Sequence, residues 1–206
     1  MTKHFFTTLI IIFYSLKVQS QNTSLDNTNK LFNFFKNNFD TTIVFYSNIP
    51  QKKIPNYYFI ATYNSNTFLF TYQNPFEQLN AKYPKNVLRS FILKKVDYNF
   101  IQPDTNQFFL PKSINNSEAR KLFDKIISKG LLSLKKDSLE YQPCSDSAGK
   151  EHYIYDDVTY NLQFISKGEN YLWNFYALFF FDETCVFNSN RKKAITIIRS
   201  FEAGFK

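Results

Sequence analysis

The sequence predicts a single α+β domain: a twisted antiparallel sheet of five to seven strands, with helices packed on one face and a helix at the C-terminus. Three observations point there. Val158 to Phe181 reads as a β-hairpin, Tyr57 to Gln73 reads as a second one, and three segments carry apolar residues at helical spacing. Residues 21–206 are enough for one domain with its own core and too few for two comfortable ones.

Residues 1–20 read as a secretory signal peptide outside the fold. Lys3 supplies a short positive region, Phe5 to Leu16 is an apolar run, and Val18-Gln19-Ser20 offers compact residues before Gln21. That run is shorter than the roughly 20 apolar residues a membrane span needs, and Lys17 closes it. No cysteine follows it, so a lipoprotein anchor is not expected, and the mature chain contains no transmembrane segment by this reading. The expected location is secreted or periplasmic.

The first helix is expected from Asn27 to Phe39, with Leu31, Phe32, Phe34, Phe35 and Phe39 on its apolar side and Asp26 or Asn27 capping its free amides. Thr41 to Ser47 is β-branched and aromatic, hence a strand. Pro50 and Pro55 bracket a loop. Tyr57 to Tyr63 and Thr67 to Gln73 flank Asn64-Ser65-Asn66, residues that tolerate the left-handed backbone of a tight hairpin. Asn74-Pro75-Phe76-Glu77 has the order of a helix start, and Pro84 limits that helix to a short piece. Residues 86–100 suit helix or strand, and strand is preferred after Arg89; 102–112 reads as loop stiffened by Pro103 and Pro111.

Asn115-Asn116-Ser117-Glu118 opens a helix whose stripe is Ala119, Leu122, Phe123, Ile126 and Ile127, with Gly130 as its stop. Cys144 to Lys150 is loop by composition, and His152 to Asp156 is a candidate strand. In the hairpin that follows, Val158, Tyr160, Leu162 and Phe164 alternate with Thr159, Asn161, Gln163 and Ile165. Lys167-Gly168-Glu169-Asn170 turns the chain, and Tyr171 to Phe181 returns with apolar residues on both sides, the mark of a central, covered strand. The last helix runs from Asn190 to Glu202, capped by Asn188 or Ser189, with Ala194, Ile195, Ile198 and Phe201 inward.

Cys144 and Cys185 are expected to pair as a disulfide, because export delivers them to an oxidising compartment. Neither sits in a CxxC, and His152 is the single histidine after residue 20, so no metal site is expected. With four glycines in the chain, no phosphate-binding loop is present, and no cofactor is expected. The net charge of +8 falls to +6 without Lys3 and Lys17, and the cations lie in scattered pairs. No nucleic-acid partner is expected from that pattern.

The candidate catalytic group is His152 with Asp156 and Asp157, since an imidazole beside carboxylates can move protons near neutral pH. On a strand His152 and Asp156 lie too far apart for contact, so a catalytic role is not the preferred reading. Composition stands out more: 14 tyrosines accompany 25 phenylalanines. A tyrosine hydroxyl needs water or a polar partner, which favours boundary positions. Tyr57, Tyr72, Tyr160, Tyr171 and Trp173 are the candidate binding residues, able to stack on sugar rings or anchor a protein partner. A base-composition bias would produce the same aromatic content without any function. The expectation is therefore an exported, non-enzymatic binding or structural protein whose partner is a protein or a polysaccharide. The alternatives are a small hydrolase at His152, Asp156 and Asp157, and a carrier of an apolar ligand.

Overall fold

The computed structural model describes residues 29–50, 52–76, 83–137, 144–185 and 189–206. The expected signal peptide lies outside the described residues, as does most of the short helix expected after Asn74.

Helix α1 (Lys30–Asn38) begins at Asn29, whose side-chain oxygen accepts from the amides of Leu31 and Phe32 at 3.1 and 3.4 Å. That cap satisfies amides the helix itself cannot pair. Leu31, Phe32 and Phe35 are buried, which is the stripe their spacing predicts. Strands β1 (Thr41–Asn48), β2 (Tyr57–Tyr63) and β3 (Asn66–Tyr72) follow. The β2–β3 turn uses Asn64 and Ser65 at φ 46° and 66°, the left-handed pair that matches strand twist in a two-residue hairpin.

Helix α2 (Lys85–Tyr98) replaces the strand preferred for this segment. The reason lies in parity: Phe91 and Tyr98 are seven residues apart, which puts them on one helical stripe but on opposite faces of a strand. Tyr98 is buried to 1% exposure, and Phe91 is half-buried against Phe76. Strand β4 (Phe109–Lys112) forms within the expected loop, as an edge strand that tolerates Pro111. Helix α3 (Asn116–Ser128) is capped by Asn115 and stops at Gly130, whose φ of 86° suits glycine. Strands β5 (Cys144–Ser145) and β6 (Glu151–His152) form a two-stranded ribbon, shorter than the strand expected from His152 to Asp156, where Asp156 takes φ 60°.

Strands β7 (Thr159–Ser166) and β8 (Asn170–Tyr176) are the predicted hairpin, with two corrections. The second arm stops at Tyr176: Ala177 turns left-handed (φ 47°, ψ 40°) and helix α4 (Leu178–Thr184) begins. Leu178 and Phe181 are buried three residues apart, so the apolar run there obeys helical spacing. The strand is also not central. The sheet order is β4-β3-β2-β1-β7-β8, which leaves β8 at an edge and β1 and β2 in the middle. Helix α5 (Ser189–Gly204) closes the chain and buries Ala194, Ile195, Ile198 and Phe201 as expected.

All pairings in the six-stranded sheet are antiparallel, and the α+β class, strand number and C-terminal helix stand as predicted. Helices are not confined to one face. On one face Ile43, Phe45, Ile60, Leu69, Leu162 and Trp173 pack against α3 and α5. On the other, Val44, Phe59 and Ala61 pack beneath α1, with Phe35 stacked on Phe59 at 4.3 Å. The physical cause is in β1 and β2: Ile43, Val44, Phe59, Ile60 and Ala61 are all fully buried, so both faces need a cover.

Candidate functional site

Beside the end of the sheet where β1 leaves and β7 enters, the α3–α5 face opens into a groove of about 510 Å³. β1 contributes Phe45 and Ser47, β2 contributes Tyr58, β7 contributes Tyr160, the last turn of α5 contributes Phe201 and Glu202, and Phe205 follows directly after the helix. Its walls are rings held by rings. Phe45 stacks on Tyr58 with centroids 5.8 Å apart, Phe205 meets Tyr58 edge-on at 5.2 Å, and Phe201 lies 5.6 Å from Phe45. Tyr160 is steadied from outside by the edge of Phe179 at 5.1 Å.

The register explains why these side chains converge. Phe45 pairs with Tyr58 on one side and Leu162 on the other, and Ser47 pairs with Tyr160. Residues two apart on a strand share a face, so Phe45 and Ser47, Tyr58, and Tyr160 and Leu162 all point to the α5 side. Helix α5 covers this row only as far as Phe205. The polar rim consists of Ser47, the Tyr160 hydroxyl, the Glu202 carboxylate and the Lys206 ammonium. Burial raises the Tyr160 pKa, and the negative charges of Asp157 and Glu202 raise it further. Its hydroxyl therefore stays protonated at neutral pH and can donate.

Of the five aromatic residues singled out from the sequence, Tyr160 alone lines this groove. Tyr57 and Tyr72 lie on the α1 face at 6% and 0% exposure; Trp173 is buried on the opposite face, donating its indole N–H to the Leu134 carbonyl at 3.0 Å. Tyr171 is half-buried and stacked on Trp173 at 5.8 Å. These residues thus do not share one exposed face. The strongly exposed tyrosines include Tyr63, Tyr153 and Tyr155, on loops and strand ends. Tyr58 and Phe205 were not singled out from the sequence; the alternation of Tyr58 with Tyr57 and Phe59 was the available signal for the first, and nothing local marks the second.

His152 does not meet Asp156 or Asp157. Its Nε2 lies 2.9 Å from Oδ2 of Asp146. The other carboxylate oxygen of Asp146 accepts from the amides of Ala148 and Lys150 at 2.9 and 3.0 Å. These bonds close the β5–β6 turn, a structural use of the pair. They hold the Asp146 carboxyl below the usual carboxylate range, the His152 bond being the largest cause. Asp157 instead accepts from the Val158 amide, while its own amide donates to the Tyr176 hydroxyl.

Cys144 and Cys185 form a disulfide, with Cα atoms 5.9 Å apart, that ties β5 to the end of α4. Around it Tyr176, Ala177 and Phe181 make a small apolar cluster. Among the described residues no group of three or more His, Cys, Asp or Glu side chains is placed to hold a metal ion, and no helix is long and apolar enough to cross a membrane. The chain matches no protein-family model and no curated protein sequence.

Proposed function

We propose that this protein is a non-enzymatic binding protein acting outside the cytoplasm, and that its ligand lies in the aromatic groove between α5 and the β1–β2–β7 sheet end. The observation that carries this reading is the groove of about 510 Å³ walled by Phe45, Tyr58, Tyr160 and Phe205. Its volume falls in the range of small-molecule sites, which combine apolar walls with a few polar groups. Tyr58, Tyr160 and Phe205 are half-buried, so a ligand with a flat apolar face gains by taking the rest of their ring surface out of water. Ser47, Tyr160, Glu202 and Lys206 fix the polar edge of that ligand. A sugar ring or a substituted aromatic ring, free or at the end of a larger polysaccharide or protein, has this chemistry.

The extracytoplasmic assignment draws on the disulfide, which persists where the surroundings oxidise, and on the apolar run that reads as a signal peptide. The binding assignment is preferred to hydrolysis because the His152–Asp146 pair is engaged in closing its own turn.

The test uses N-phenyl-1-naphthylamine, an uncharged fluorophore that brightens on leaving water. Saturable brightening that Tyr58→Ser and Tyr160→Ser each weaken, with the fold unchanged by circular dichroism, is the expected result. Absence of saturable brightening, or equal brightening by both variants and the parent, sinks the reading.

A further inference from the structure

We propose that α2 and the loop that follows it form a docking patch for a membrane surface rich in anionic lipid. Among the described residues, the buried side of α2 is the stripe of Leu88, Phe91, Lys95 and Tyr98. Tyr98 is 1% exposed and packs against Tyr72 and Phe108, with centroids 5.7 and 4.8 Å away, and seven residues earlier the half-buried Phe91 packs against Phe76 with centroids 5.4 Å apart. The other side of the helix turns large apolar residues to water: Ile92, Leu93 and Val96 are 46%, 58% and 46% exposed, and Phe100 just beyond the helix is 73% exposed. Helical spacing gathers them, since Val96 follows Ile92 by four residues and Phe100 follows Val96 by four. A contiguous exposed apolar patch of this kind marks an interaction surface, whereas singly scattered residues do not.

The charges around the patch say what covers it. α2 carries Lys85, Arg89, Lys94 and Lys95 against Asp97. Lys85 and Arg89 continue the exposed stripe at four-residue steps back from Leu93. Lys53 places its ammonium 4.7 Å from the Phe100 ring, beside the patch, whereas Lys94 lies on the Phe91 side of the helix with its ammonium 5.6 Å from the Phe76 ring; the cations at the patch are thus Lys85, Arg89 and Lys53. A second copy of the chain would bring these cations face to face, which costs free energy at a desolvated contact. A bilayer with anionic head groups does the reverse. The apolar side chains enter the boundary between head groups and acyl chains, while the lysine and arginine stems lie along it and their charges reach the phosphates. The aromatic groove belongs to the opposite face of the sheet, so docking leaves it accessible.

The experiment is co-sedimentation of the full chain with vesicles of phosphatidylcholine alone or of phosphatidylcholine with phosphatidylglycerol. Binding to the anionic vesicles that falls at least about tenfold in Leu93→Ser/Phe100→Ser, as loss of two inserted side chains implies, is the expected result. Lys85→Gln/Arg89→Gln is expected to bind more weakly and with less salt sensitivity. Phe100→Trp reports locally, whatever the apolar N-terminal run contributes: its added emission shifts to the blue on anionic vesicles. Unchanged emission of the Phe100→Trp variant, equal binding to neutral and anionic vesicles, or equal binding by parent and Leu93→Ser/Phe100→Ser overturns the proposal. So does a sedimentation-velocity dimer that Leu93→Ser/Phe100→Ser dissociates, which would assign the patch to a second copy.

Discussion

Arg191 and Asp137, 54 residues apart in sequence, meet in the interior with Nη1 and Oδ2 separated by 2.6 Å. The other guanidinium nitrogen, Nη2, donates to the Tyr176 carbonyl at 2.7 Å, and the guanidinium lies 5.1 Å from the centre of the Phe181 ring. One side chain thus joins the start of α5, the end of β8, α4 and the segment after α3. Both side chains are almost wholly buried, at 4% and 2% exposure. Burial pushes the Arg191 guanidinium pKa down, and Asp137 followed by Asp182 pulls it back up.

Removing one partner leaves the other charge in the interior. Asp137→Ala is expected to destabilise the fold by about 3–5 kcal/mol, whereas Arg191→Met/Asp137→Leu, which removes both charges, costs much less. Urea unfolding of the three proteins checks this; equal losses in the single and double variants would count against it.

The Cys144–Cys185 disulfide closes a loop of sequence separation 41 that contains the β7–β8 hairpin and α4. On the chain-entropy model such a bridge contributes about 4 kcal/mol. Cys144→Ala/Cys185→Ala is therefore expected to lower the unfolding free energy, read from a denaturant titration, by that order. Since the bridge is peripheral to the two large core clusters, the variant should keep the sheet's far-ultraviolet circular dichroism under native conditions.

Ser65 holds φ 66° in the exposed β2–β3 turn. A left-handed backbone costs an L-residue about 1–2 kcal/mol, and glycine avoids that cost while losing more entropy on folding, about 0.4–1 kcal/mol. Ser65→Gly is expected to stabilise by up to about 1 kcal/mol, read from the thermal midpoint. A lower midpoint would contradict the strain argument.

The hydrogen bond from His152 is the main cause of the depressed Asp146 carboxyl. A carboxyl whose pKa is lower folded than unfolded contributes stability that is present above the ordinary carboxylate pKa. That contribution is lost as pH falls through the folded value. The β5–β6 turn is expected to loosen at a pH below the ordinary carboxylate range. His152→Phe should move the Asp146 carboxyl titration, followed by carbon NMR, towards higher pH; an unmoved titration would remove His152 from the cause.

Much of the fold was legible because its elements are locally coded. The stripes of α1, α3 and α5, the alternation of β7, the Asn64-Ser65 turn and the Gly130 stop each follow from a few neighbouring residues. Where two codes competed, local reading failed. Phe91 to Phe100 satisfies a strand until the parity of Phe91 and Tyr98 is weighed, and Leu178 to Phe181 continues an apolar run whose burial is helical. The second covered face was written in the unbroken apolar runs of β1 and β2, which mark strands buried on both sides.

By itself the sequence determined the α+β class, the two hairpins, the pairing of the two cysteines and the surplus of aromatic rings. Only the tertiary structure decided which rings face water. Tyr57 and Tyr58 are neighbours in the chain, yet one is buried on the α1 face and the other lines the groove, because adjacent strand residues point to opposite faces and each face has its own cover. The groove joins Tyr58, Tyr160 and Phe205, which no short stretch of chain contains, and it exists because α5 covers the end of the sheet only in part. Sheet order and helix docking are long-range consequences of burying area, so they are settled by the whole chain at once.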